Sequence, residues 1–184
     1  MPKHHIPNLL TLLRILLVPA LIAVYLTAQH TYLPFVLFTL IAMTDYLDGY
    51  LARRWSVQSA LGAFLDPAAD KILVCSLLVL LVAEHSTWLF TLPAIVIIFR
   101  ELVMSMLREY LAKIAKSEII AVDVYGKYKT AAQMLSLGFF LMPHLTMLYP
   151  AYAFLYISTA LTVLSLTRYI IKIQKTGLIP AFER

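Results

Sequence analysis

A chain of 184 residues that is 61% hydrophobic and only 14% charged lies well outside the balance of a soluble domain, so the bilayer is its expected solvent. The formal charge of +5 could suggest nucleic acid, but basic loops on a polytopic protein follow from topology and anionic lipid, so no nucleic-acid partner is expected. The apolar residues fall in long blocks separated by short polar joints: 8–28, 33–53, 67–83, 88–111, 130–142 and 151–169. Each block reads as a membrane helix, which predicts an all-α bundle of six transmembrane helices forming one domain over residues 1–184. The first block carries Arg14 and Pro19 and no small-residue cleavage site follows it, so a permanent helix is expected rather than a cleaved signal. Cys75, the single cysteine, lies in an apolar block and can form no intrachain disulfide.

The basic residues predict the orientation. The joints 29–32, 84–87 and 143–150 hold no Lys or Arg. The opposite side holds Lys3, Arg53, Arg54, Lys113, Lys116, Lys127, Lys129, Lys172, Lys175 and Arg184, which puts both termini in the cytoplasm.

Counted inward from the outer ends, twelve uncharged residues precede Asp45, twelve follow Lys71 and twelve precede Arg100. Twelve helical residues rise roughly 18 Å against a hydrocarbon core of about 30 Å, so these charges must stand some way inside the cytoplasmic leaflet, and Arg14 at a similar depth. A layer of facing charges at that depth reads as a functional cavity, because each ion costs a few kcal/mol unless paired, hydrated or bound to metal. Interhelical ion pairs, such as Arg100 with Asp48, are the alternative. Four acids in two helices form a local excess of negative charge that ion pairing explains poorly and that invites cations.

Those acids have a definite spacing. Asp45, Asp48, Gly49, Ala52 and Arg53 are followed, after eight residues, by Gly62, Asp66 and Asp70. On a helix Asp45 and Asp48 share one face, Asp66 and Asp70 share another, and the small residues one turn away clear space for a bulky anionic ligand. Asp66 before Pro67 could also be an N-cap with proline at the first helical position, a role compatible with metal binding. Carboxylates without a Cys/His cluster select Mg²⁺, Mn²⁺ or Ca²⁺ rather than zinc. Two such ions about 3.5 to 4 Å apart would clamp a diphosphate during an in-line displacement.

These eight fixed positions match the signature of the CDP-alcohol phosphatidyltransferases, and the chain resembles that family over most of its length. The resemblance implies that the motif bridges the second and third of six membrane helices. It implies that Asp45, Asp48, Asp66 and Asp70 hold two divalent ions, Mg²⁺ or Mn²⁺, and that Asp70 is also the base that deprotonates the acceptor hydroxyl. Gly49, Ala52 and Gly62 would border the cytidine, with Arg53 at the nucleotide end. Segment 6–14 is similar to the family's opening segment, which places Asn8, Thr11 and Arg14 near the phosphates of CDP-diacylglycerol. Segments 100–109 and 126–134 resemble those of members whose acceptor is sn-glycerol 3-phosphate, and imply that Arg108, Lys127 and Lys129 bind its phosphate. Lysines at those places could instead anchor the helix ends at lipid headgroups.

The implied reaction joins CDP-diacylglycerol and sn-glycerol 3-phosphate to give phosphatidylglycerophosphate and CMP, in a homodimer of a bacterial cytoplasmic membrane. Another acceptor, such as phosphatidylglycerol or an inositol phosphate, stays open because the motif fixes the donor better than the acceptor. A divalent-cation channel lined by the four aspartates is the rival from another class, though a pore has no need of a nucleotide-sized recess beside Arg53.

The remaining features read as structural. Tyr32, Trp88, Tyr149 and Tyr152 fall at helix ends, where aromatic belts belong. His4, His5, His30, His85 and His144 are too scattered for a metal site. Residues 1–7 are expected to be interfacial and 178–184 a mobile tail. The chain has no internal repeat or low-complexity linker.

Overall fold

The computed structural model describes residues 5–28, 30–55, 60–114 and 124–175, with the backbone alone at 5–10, 46, 48–55, 60–64, 124–125 and 175. Six α-helices follow one another: α1 (His5–Ala28), α2 (Leu33–Trp55), α3 (Ala60–His85), α4 (Trp88–Lys113), α5 (Val124–Phe140) and α6 (Leu148–Lys175), with a 3₁₀ turn at Leu145–Met147. No strand occurs among the described residues.

Among the described residues, three segments are long and apolar enough to cross a membrane: Thr11–Ala28, Trp88–Lys113 and Leu145–Gln174. In α2 the apolar stretch found among the described residues is the shorter Leu33–Asp45. Asp66, Asp70 and Lys71 interrupt α3 in the same way. Large apolar side chains point outward along these helices, among them Leu16, Leu40, Val79, Phe99, Met106 and Leu164. That inverts the pattern of a soluble bundle and suits an apolar solvent. Hydroxyls within the helices turn back onto the preceding turn, as Thr39 does to the Phe35 carbonyl and Thr162 to that of Ser158, which satisfies them without water.

The chain divides into two compact units, Met1–His85 with Leu137–Ala151, and Ser86–Ser136 with Tyr152–Arg184. In the first, α1 packs against both α2 and α3. One stripe of α1 is buried: Thr11, Arg14, Val18, Leu21 and Tyr25, the spacing of a single helix face. Leu73, Leu77 and Leu81 give α3 a matching stripe. Three side-chain contacts set the register, because Thr11 meets Asp66, Arg14 meets Asp70 and the Tyr25 hydroxyl donates to Glu84. Higher numbers on α1 meet higher numbers on α3, so the two helices run parallel.

The second unit repeats the device. Phe90, Ala94, Ile97 and Met104 line one face of α4, while Leu155, Ser158, Thr162, Ser165, Tyr169 and Ile173 line one face of α6. Phe90 meets Tyr152 edge to face, Arg100 meets Ser165, and Met104 and Leu111 cluster with Tyr169 and Ile173. These helices are parallel as well.

One expectation needs correction. The third helix starts at Ala60 rather than at Pro67, so Asp66 is an interior helical residue and not an N-cap. A proline inside a helix removes one hydrogen bond, and the Ala- and Leu-rich residues on both sides carry the helix through. At the amino end, residues 5–7 belong to α1, and residues 1–4 lie outside the described residues. Residues 178–184 lie outside the described residues. Trp88, Tyr32 and Tyr149 are exposed at helix ends, as an aromatic belt requires, whereas Tyr152 is half-buried against Phe90.

Candidate active site

The buried stripe of α1 changes character along its length. From Val18 to Tyr25 it is apolar, but one turn nearer the amino end it presents Arg14 and then Thr11, each only 1% exposed. A buried guanidinium is costly unless carboxylates meet it, and the parallel register brings them. Arg14 Nη1 lies 2.7 Å from Asp45 Oδ1 on α2 and 3.3 Å from Asp70 Oδ1 on α3. One nitrogen thus spans two helices. Thr11 Oγ1 donates to Asp66 Oδ1 at 2.6 Å, which orients the carboxylate one turn before Asp70.

Burial separates the donors from the acids. The Arg14 side chain is 0% exposed, while those of Asp45 and Asp70 are 42% and 41% exposed. The carboxylates therefore keep oxygens open to a ligand while α1 fixes them from behind. Pro67 stands between Asp66 and Asp70 inside α3.

Asn8, Asp48, Gly49, Ala52, Arg53 and Gly62 stand on the described backbones of α1, α2 and α3, but their side chains lie outside the described residues. Among the described residues no three His, Cys, Asp or Glu side chains form a metal-binding group. Asp45, Asp66 and Asp70 supply oxygen donors alone, two of them close enough to share one guanidinium nitrogen, and that donor set fits a hard divalent cation. Their contacts with α1 identify these acids as one constellation rather than separate surface charges.

A second polar group is built inside the other unit. Lys129, 3% exposed on α5, donates through Nζ to Glu101 of α4. Arg100 Nη1 approaches the same Glu101 oxygen at 3.3 Å, and its Nη2 donates to Ser165 Oγ of α6 at 3.1 Å. Arg108 and Lys127 are exposed on α4 and α5. The reading of Arg108, Lys127 and Lys129 as equivalent cations misses this difference. It also misses Glu101, although an acid directly after Arg100 in an apolar block signals an internal countercharge.

Residues 4–164 match the family model for CDP-alcohol phosphatidyltransferase. The chain belongs to the CDP-alcohol phosphatidyltransferase family. Curated relatives carry the name CDP-diacylglycerol–glycerol-3-phosphate 3-phosphatidyltransferase. The one from Salmonella choleraesuis is 41% identical over 177 residues, covering 91% of this chain and 94% of its own. That from Haemophilus influenzae is 43% identical over 173 residues, with 91% and 92% covered. That from Escherichia coli K12 is 41% identical over 172 residues, with 91% and 94% covered. Family membership removes the rival reading of the aspartate group as a cation channel.

Proposed function

We propose that this membrane enzyme transfers the phosphatidyl group of CDP-diacylglycerol to sn-glycerol 3-phosphate, giving phosphatidylglycerophosphate and CMP in phospholipid biosynthesis. The observation that carries this reading is the gathering of Asp45, Asp66 and Asp70 on Thr11 and Arg14 in a chain so similar to enzymes of that name.

In this reading the acceptor hydroxyl oxygen attacks the lipid-linked phosphorus, the bond from that phosphorus to the CMP oxygen breaks, and Asp70 takes the hydroxyl proton. Asp45, Asp48, Asp66 and Asp70 would hold two divalent ions, Mg²⁺ or Mn²⁺, which when bound supply charge neutralisation for the diphosphate. Thr11 keeps Asp66 in one orientation, and Arg14 does so for Asp45 and Asp70. Arg14, Thr11 and Asn8 bind the donor phosphates. Gly49, Ala52 and Gly62 leave room for the cytidine beside Arg53, and Arg108, Lys127 and Lys129 bind the acceptor phosphate.

Six membrane spans, cytoplasmic termini, a homodimer and a bacterial cytoplasmic membrane complete the proposal, with the site part-way into the cytoplasmic leaflet. That depth leaves the acyl chains in lipid while both head groups enter from water. The test supplies purified protein with labelled CDP-diacylglycerol, Mg²⁺ or Mn²⁺ and a panel of polyol phosphates and phosphatidylglycerol. Phosphatidylglycerophosphate formed from sn-glycerol 3-phosphate is the expected product. A labelled product lacking the terminal phosphate would overturn the acceptor while keeping the transfer chemistry.

A further inference from the structure

The polar group of the second unit is unbalanced. Among the described residues two buried cations, Arg100 and Lys129, share the carboxylate of Glu101. Its buried atoms without a hydrogen-bond partner among the described residues, Arg100 Nε and Gln133 Nε2, are both N–H donors. Gln133 follows Lys129 by one turn on the same face of α5, and each is 3% exposed. A buried donor left without an acceptor destabilises the free protein, and native structures keep one chiefly where a ligand or water completes it. Among the described residues the group carries more donors and positive charge than acceptors, a balance that an oxygen-rich anion would complete.

We propose that Gln133 is a specificity-determining residue, its side-chain amide donating to an oxygen of the polyol phosphate acceptor beside Lys129. This rests on the proposed acceptor reading. Lys129 supplies charge, which any phosphate satisfies. The neutral amide supplies direction, and a site built to hydrogen-bond one substrate oxygen discriminates against a ligand that leaves it unpaired.

The test is Gln133→Met in the purified full-length protein, with KM and kcat measured for each substrate and melting followed with and without sn-glycerol 3-phosphate. The acceptor KM should rise roughly tenfold while the KM for CDP-diacylglycerol stays within about twofold. Without substrate the variant should melt no lower than the parent, and stabilisation by the acceptor should shrink. Gln133→Glu, matched in size but unable to donate when ionised, should raise the acceptor KM further and serves if the Met variant does not fold. With 3-hydroxypropyl phosphate as acceptor, a penalty that vanishes assigns the contact to the middle hydroxyl, and one that persists assigns it to phosphate. An acceptor KM within twofold of the parent, or equal rises for both substrates with a lowered melting point, would overturn the inference. A parent that consumes CDP-diacylglycerol with other acceptors but not with sn-glycerol 3-phosphate would instead overturn the acceptor reading itself.

Discussion

Arg14→Met removes the charge that α1 inserts between the acids of α2 and α3, while keeping an apolar stem of similar reach. The guanidinium meets Asp45 at 2.7 Å and Asp70 at 3.3 Å and is itself 0% exposed. Removing one member of a fully buried ion pair costs about 3 to 5 kcal/mol. Here the acids left behind are 42% and 41% exposed, so water hydrates them. The stability loss should therefore fall to about 1 to 2 kcal/mol, nearer the cost of losing an exposed pair.

The functional effects of the same change have opposite signs for two ligands. Loss of the charged hydrogen bonds by which Arg14 fixes Asp45 and Asp70 beside the donor is worth about 1.5 to 3 kcal/mol, so kcat/KM for CDP-diacylglycerol should drop roughly tenfold to more than a hundredfold. A divalent cation should bind more tightly once the competing positive charge has gone. Two unit charges 4 Å apart interact by about 4 kcal/mol near a protein surface, and even a quarter of that lowers the half-saturating Mn²⁺ concentration about fivefold. The assay is turnover in detergent micelles, with Mn²⁺, donor and acceptor titrated separately. If donor kcat/KM stays within twofold and the metal midpoint does not move, Arg14 is only a structural tie and the reasoning fails.

Asp70→Asn should lower turnover by roughly 10² to 10⁴-fold with CDP-lipid binding still measurable, since the amide keeps the shape but cannot take the proton; turnover within twofold of the parent removes Asp70 as the base. Thr11→Val deletes the 2.6 Å bond to Asp66 at nearly constant volume, and should raise the metal requirement several-fold without changing the acceptor KM; an unchanged metal titration would show that Asp66 needs no orientation from α1. Asp45→Ala and Asp66→Ala should each lose metal-dependent activity that moderate excess Mg²⁺ does not restore, and normal metal titrations in both would rule out the paired-ion mechanism. Lys129→Met should cost roughly tenfold to more than a hundredfold in acceptor kcat/KM, whereas the exposed Lys127 and Arg108 should cost only a few-fold each; equal, small effects on both substrates at all three sites would mark them as membrane anchors.

Membrane character and the acidic motif were legible in the sequence because both are local. A long apolar block declares its solvent by composition, and Asp45 with Asp48 or Asp66 with Asp70 share a helix face by spacing alone. The buried stripe from Thr11 to Tyr25 was not legible, because α1 is apolar nearly all round and its stripe includes Thr11 and Arg14. Local reading failed where tertiary context outweighed a residue's own preference, as at Pro67, whose cap-like sequence lies inside the continuous helix α3. Partner and register were decided by the fold, since contacts between helices join residues far apart in the chain, as Thr11 with Asp66 and Glu101 with Lys129. Only the parallel alignment of α1 with α3 sets Thr11 on Asp66 and lets Arg14 reach Asp70 and Asp45 together. Only the packing of the second unit distinguishes buried Lys129, held by Glu101, from exposed Lys127 two residues earlier, because a charge is moved from solvent to interior by its surroundings and not by its place in the chain.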